Sequence, residues 1–277
     1  MSLANHPQLN SGSIRILLLN PNSSRSMTKS METAANSIAT LSSSVSISTY
    51  TAPEPSPASI DNAEGIHASV QAVINDPDFK SRLQSEAYDA VLVACFSVHP
   101  LVKHLANALK PVPVTGIFEA SILTGLSLVP LVEEEQHKWG IVTTGAFWEA
   151  HLANGVAAFL GQTPSPASTT GSSNSSDCRF AGVFSTGLNA GDFHTISQEQ
   201  VNVRLREATK RLLSLGNVTC VVMGCGGMGG LQDMIRAIVV QEYGQDKARD
   251  VVIVDGVQAG VLQLQQAVLS RRLFGLK

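Results

Sequence analysis

Two cysteines stand where a thiol could do chemistry. Cys95 follows the apolar run Val91-Leu92-Val93-Ala94 and precedes Phe96-Ser97-Val98-His99-Pro100, and Pro100 suits the first turn of a helix. At such a strand-to-helix junction, free N–H groups and the positive helix end favour thiolate, so the pKa of Cys95 is expected to fall below the ordinary value of about 8.5. Cys225 lies in Gly224-Cys225-Gly226-Gly227-Met228-Gly229-Gly230, where five of seven residues are glycine and the backbone can approach a ligand closely. The competing reading of each is a small buried hydrophobe, the commonest fate of a free cysteine. It is weaker for Cys225, because packing does not require so many glycines beside the thiol. Cys220, inside its apolar run, reads as core, and Cys178, beside a polar stretch, reads as incidental.

Two polar segments accompany the cysteines. Asn20-Pro21-Asn22-Ser23-Ser24 ends an apolar run with good helix-capping side chains, and its N–H groups suit either a cap or a ligand oxygen. Thr143-Thr144-Gly145 carries the same two readings. Cys95, His99 and His104 lack a second cysteine or acidic partner at a familiar metal spacing, so no metal site is expected. His99 is placed at the mouth of a pocket or on an exposed loop, and Glu119 at the start of a helix. The glycine run lacks both the P-loop and the Rossmann spacing, which disfavours nucleotide binding.

These residues must be held by strands. Apolar runs recur at Ile14 to Asn20, Val45 to Thr51, Ala90 to Phe96, Val114 to Phe118, Trp139 to Thr144, Phe180 to Thr186, Cys220 to Cys225 and Val251 to Asp255. Helical spacing fills several gaps, as in Met27, Met31, Ala34, Ala35 and Ile38. The alternation predicts an α/β fold with doubly wound, mainly parallel sheets, which bind ligands outside the carboxyl ends of their strands. Residues 90–99 and 219–228 are similar, each an apolar run ending in Cys and small residues, which points to two related lobes. Residues 161–177 draw 14 of 17 positions from Gly, Pro, Ser, Thr and Asn and are expected to form a flexible surface loop.

The 277 residues suit two domains or one large one, and 44% hydrophobic against 15% charged residues is a globular composition. A net charge of -3 without a basic run argues against nucleic acid and anionic membrane, leaving a small molecule as the expected partner. No apolar run reaches the ~18 residues of a membrane span, and residues 1–13 resemble no targeting segment. A cytoplasmic protein with reduced cysteines is expected.

Leu18-Leu19-Asn20-Pro21-Asn22-Ser23-Ser24, Ala94-Cys95-Phe96-Ser97, Gly116-Ile117-Phe118-Glu119-Ala120, Val142-Thr143-Thr144-Gly145 and Gly224-Cys225-Gly226-Gly227-Met228 occur in an order that resembles the aspartate/glutamate/hydantoin racemase superfamily, in particular its hydantoin and allantoin racemase branch. The resemblance implies cofactor-independent chemistry in a cleft between two α/β lobes, with Cys95 and Cys225 as catalytic residues, one from each lobe. It divides the chain into residues 1–119 plus 258–277 and residues 120–257, with a returning C-terminal helix at about Gln258 to Leu273. The expected substrate is a cyclic ureide, allantoin ahead of 5-substituted hydantoins, and the expected assembly is a homo-oligomer. Asn20, Asn22, Ser23, Phe96, Ser97, Thr143, Thr144, Gly145, Gly226 and Gly227 are the expected substrate-binding residues. At Val98-His99 the chain departs from the acidic residue and turn of many hydantoin racemases.

The residue types suit that chemistry. Inverting a carbon acid takes a proton from one face and returns one to the other, so two groups of similar proton affinity must flank the carbon. One thiolate and one thiol meet this need, and N–H groups of Gly226 and Gly227 with Ser97 and Thr144 are expected to stabilise the enolate-like oxygen. Amino-acid racemization, arylmalonate-type decarboxylation, which needs only one cysteine, and non-catalytic metabolite binding are the alternatives.

Overall fold

The computed structural model describes residues 12–41, 44–130, 136–162 and 179–275. The chain runs β1 (Ile14–Asn20), α1 (Arg25–Leu41), β2 (Val45–Thr51), α2 (Ala63–Asn75), α3 (Pro77–Ser85), β3 (Ala90–Val93), α4 (Pro100–Ala108), β4 (Val114–Gly116) and α5 (Ile117–Leu128). It continues through β5 (Lys138–Thr143), α6 (Phe147–Phe159), β6 (Phe180–Ser185), α7 (Asp192–Thr195), α8 (Gln198–Leu213), β7 (Val218–Gly224), α9 (Gln232–Ala248), β8 (Val252–Asp255) and α10 (Gly256–Phe274). Several strands end before their apolar runs do. β3 stops at Val93 because the chain turns tightly, Ser97 N–H donating to the Cys95 carbonyl at 3.0 Å. β4 stops at Gly116, and the rest of its run, Ile117 and Phe118, opens α5. Beyond Gln162 the expected flexible loop, and Cys178 after it, lie outside the described residues.

The eight strands among the described residues form two four-stranded sheets, β2-β1-β3-β4 and β6-β5-β7-β8, with every pairing parallel. The two orders are the same pattern repeated, so β3 and β7, the strands preceding the two cysteines, are topological equivalents. In each sheet the chain first winds outward from the leading strand to one side and then crosses to the other, which makes β1/β3 and β5/β7 the switch points where such sheets bind ligands.

The strands are buried on both faces, as their continuous apolar runs require. Ile16, Leu18, Leu92, Ile141 and Val222 face a shared central core, while Leu17, Leu19, Val91 and Val93 face an outer layer on the first sheet and Val142, Val221 and Met223 one on the second. The helices that follow the last strand of each sheet bind the sheets together. α5, leaving the first sheet, packs on β7 and β8, and α10, leaving the second, packs on β1, β3, β4 and α5. Gly125 and Gly260 allow this closeness, since a Cβ at either would lie within 3.1 Å of the Trp139 ring or 2.5 Å of the Leu92 side chain. No described helix is long and apolar enough to cross a membrane.

Candidate active site

The loops after β1, β3, β5 and β7 meet in one cleft. It holds about 420 Å³ of empty space, mouth included, and is lined by both cysteines with residues of both sheets. From the first sheet come Asn22, Ala94, Cys95 and Phe96, and from the second Thr144, Gly224, Cys225, Gly226 and Gly227. The two halves approach closely at Gly226, where a Cβ would lie 2.8 Å from Met31 Sδ of α1 and 3.5 Å from the Ala94 carbonyl oxygen.

Cys225 sits just past β7, ahead of a 3-10 turn at Gly226–Met228, and its Sγ accepts the Gly227 N–H at 3.2 Å. Beneath it the Thr143 hydroxyl donates to the Gly224 carbonyl at 2.7 Å, tying the ends of β5 and β7 together. Among the described residues Cys95 has no backbone donor of this kind; its Sγ lies 3.3 Å from the buried Ser97 hydroxyl.

The expected lowering of the Cys95 pKa does not occur. α4 begins five residues later at Pro100, and His99 takes the first N–H groups of that helix: Leu101 N–H donates to its Nδ1 at 3.3 Å and Val102 N–H to its carbonyl at 3.0 Å. Burial instead pushes the Cys95 thiol up to about 12; the Ser97 hydroxyl opposes the rise, and the charges of Cys225, Glu119 and Asp61 add to it. Cys225 is pushed up to about 11, again by burial, with Gly227 and Met228 N–H groups opposing and Asp61 adding. Buried in this way both are thiols at neutral pH, and Cys225 is the easier to ionise.

His99 is neither at the mouth nor on an exposed loop. It is 2% exposed, its Nε2 lies 3.1 Å from Ser69 Oγ, and burial lowers its pKa to about 4. Its Nδ1 and Nε2 are thus both committed, away from Cys95. Glu119 does open α5, in its first turn, but burial pushes its carboxyl up to about 7, and among the described residues Oε2 has no hydrogen-bond partner.

Of the expected substrate-binding residues, the cleft wall contains Asn22, Phe96, Thr144, Gly226 and Gly227. The others lie behind or beside it. Asn20 is fully buried and donates to Asn22 Oδ1 (2.8 Å), Thr28 Oγ1 (2.9 Å) and the Ser24 carbonyl (3.2 Å), so it shapes the loop. Ser23 lines a neighbouring groove with Arg25 and Tyr50. Ser97 supports Cys95, Thr143 holds Gly224, and Gly145 stands at the start of α6, accepting from Trp148 N–H at 3.1 Å. Two of the four donors expected on the enolate oxygen, Gly227 N–H and the Ser97 hydroxyl, face the thiols instead. Among the described residues Gly226 N–H and the Thr144 hydroxyl have no protein partner and remain for a ligand.

Sequence reasoning missed the apolar wall of Met27, Met31, Ile60, Trp148 and Ala190. Met27 and Met31 showed only helical spacing, which marks them as buried without telling core from cleft. Trp148, one turn beyond Thr144, was the nearest thing to a signal; Ile60 and Ala190 carried none.

The Asp/Glu/hydantoin racemase family matches residues 16–264. Protein DCG1 of Saccharomyces cerevisiae is 31% identical over 230 residues, covering 80% of this chain and 85% of that protein. Hydantoin racemase of a Pseudomonas species is 25% identical over 248 residues, covering 90% and 83%. The allantoin racemase from Klebsiella pneumoniae has the same fold, with a TM-score of 0.69 at 21% identity over 93% of this chain and 88% of that one. A match that runs from β1 into α10 and takes in both cysteine loops is decisive: the chain belongs to the Asp/Glu/hydantoin racemase family.

Proposed function

We propose that the protein is a cofactor-independent racemase of a cyclic ureide, exchanging the proton on the ring carbon between Cys225 and Cys95. The observation that carries this reading is that the two thiols, set after equivalent strands of two sheets, line one small cleft. Cys225 first loses its proton to solvent, its thiolate being stabilised by the Gly227 and Met228 N–H groups. It removes the ring proton from one face, and the electron pair moves onto the neighbouring carbonyl oxygen. Gly226 N–H and the Thr144 hydroxyl are placed to bond that oxygen. Cys95 then delivers its proton to the opposite face and is left as thiolate, and the opposite enantiomer runs the sequence in reverse.

Two features bear on the substrate. Among the described residues lining the cleft none is Lys, Arg or His, so a carboxylate would be desolvated there without a counter-ion, which favours a neutral ring over aspartate, glutamate or an arylmalonate. The wall of Met27, Met31, Ile60, Phe96 and Trp148 suits an apolar ring substituent better than the polar ureido arm of allantoin. It therefore moves 5-alkyl and 5-aryl hydantoins ahead of allantoin.

The test is a panel of single-enantiomer 5-substituted hydantoins, allantoin, aspartate and glutamate, followed by circular dichroism with EDTA present and no added cofactor. Loss of optical activity by a cyclic ureide is expected. Activity confined to the amino acids, activity abolished by EDTA and restored by zinc, or binding of ureides without racemization would each overturn the reading.

A further inference from the structure

The loop that carries Cys95, residues 95–99, runs from the end of β3 to the start of α4. At its near end the sheet holds it, Ala94 N–H donating to the Leu19 carbonyl at 2.8 Å. At its far end the His99 side chain does. Nδ1 accepts from Leu101 N–H at 3.3 Å, so the single proton of the neutral ring sits on Nε2. Ser69 Oγ of α2 lies 3.1 Å from that Nε2; it gives its own hydrogen to the Ile66 carbonyl at 2.7 Å and is left to accept from the ring. The bonds therefore run in one direction, and both residues are buried, with His99 kept neutral by that burial. Ser, Thr, Asp and Asn are the ordinary helix caps and would satisfy Leu101 N–H equally well. Imidazole adds a donor on the far side of its ring, and here that donor reaches a second helix. Among the described residues, Ser69 is the one hydrogen-bond partner that the side chains of residues 95–99 find beyond the loop and α4. α2 in turn packs on the cleft wall, since a Cβ on Gly65 in its first turn would lie 3.5 Å from Ile60 Cα.

We propose that His99 is the positioning residue of Cys95, bracing the thiol's loop against α2 so that Cys95 and Ile60 keep their places on the first-sheet side of the cleft. The inference rests on the racemase reading only for what Cys95 does; where Cys95 is held can be tested without turnover. Alkylation of Cys95, Cys225 and Cys220 by iodoacetamide is timed by mass spectrometry in the wild-type protein, Ser69→Ala, His99→Asn and the double variant. Neither Ser69 nor His99 lines the cleft, so the changes leave its wall as it is. His99→Asn keeps an acceptor for Leu101 N–H but is too short to reach Ser69, and Ser69→Ala removes the same bond from the other end.

Without the brace, water reaches the loop and the thiol ionises more readily, so Cys95 should label about fivefold or more faster relative to Cys225 in either single variant. The double variant should match the singles, because its second change removes a bond already lost. Cys220, fully buried in β7, should stay protected. With a ureide that the wild-type protein racemizes, kcat should fall by about tenfold while KM changes by less than about threefold. A Cys95 to Cys225 ratio unchanged in both single variants, effects that multiply in the double variant, faster labelling of all three thiols together, or an unchanged kcat would overturn the proposal. Failure of the ureide panel with a shifted labelling ratio would remove the substrate assignment and leave the brace standing.

Discussion

The Gly227 N–H donates to Cys225 Sγ at 3.2 Å, whereas the other thiol, Cys95, has among the described residues the Ser97 hydroxyl as its one partner. This asymmetry orders the two sites, because N–H donors favour thiolate and burial opposes it in both places. With the thiols pushed up to about 11 and about 12, the ionised fraction of the free protein rises throughout the accessible pH range. Racemization measured as kcat/KM should climb roughly tenfold per pH unit from mildly acidic to strongly alkaline conditions. A plateau near pH ~8.5, the ordinary thiol value, would contradict the buried environment of the pair.

The same burial has a consequence for folding. Cys220 is fully buried in β7 and its thiol is also pushed up to about 12 by burial. The unfolded chain ionises these thiols near their ordinary pKa while the folded chain does not, so their contribution to stability is intact below that value and is lost as pH rises toward the folded values. Each thiol should steepen the decline by about 1.4 kcal/mol per pH unit in that window. Urea unfolding of Cys220→Ala across alkaline pH should show a shallower decline than the wild-type protein, whatever its stability at neutral pH. Parallel declines would show that Cys220 is not held as a neutral thiol.

The close fit under Cys225 gives a structural test. A Cβ on Gly224 would lie 2.6 Å from the Ile141 side chain, 2.9 Å from Thr143 Cβ and 3.0 Å from the Val142 carbonyl oxygen. Gly224→Ala should therefore destabilise the protein by about 1–3 kcal/mol and reduce activity by displacing the thiol. Thr143→Val removes the bond to the Gly224 carbonyl and should cost about 1 kcal/mol while lowering kcat more than it raises KM. Thermal unfolding with steady-state kinetics checks both, and unaltered kinetics in Thr143→Val would show that the bond does not position Cys225.

The sheets and cysteine loops were legible because their causes are local. Apolar runs such as Ala90 to Phe96 and Cys220 to Cys225 mark strands buried on both faces, and a Cys among small residues marks their ends. The similarity of residues 90–99 and 219–228 pointed to two related lobes, and the sheet orders make β3 and β7 equivalent. What was not legible depends on residues distant in sequence. The cleft face of Met31 is decided by Gly226, almost two hundred residues away. His99 cannot be told from a pocket residue until Ser69 of α2 is seen beside it. Capping of α4 by His99 also removed the helix end that Cys95 was expected to use, since the sequence marks Pro100 as a helix start but not which preceding side chain takes its N–H groups.

The most direct test of the two-thiol account follows each face of the substrate separately. Cys95→Ser and Cys225→Ser replace a thiol by a far weaker acid, and racemization should fall by several orders of magnitude in each. The remaining cysteine should still remove the proton from the enantiomer that faces it and return deuterium from D2O with retention. The account expects each variant to label one enantiomer and the two variants to label opposite ones, as read by mass spectrometry of a ureide that the wild-type protein racemizes. Labelling of the same enantiomer by both variants, or wild-type racemization by either, would contradict it.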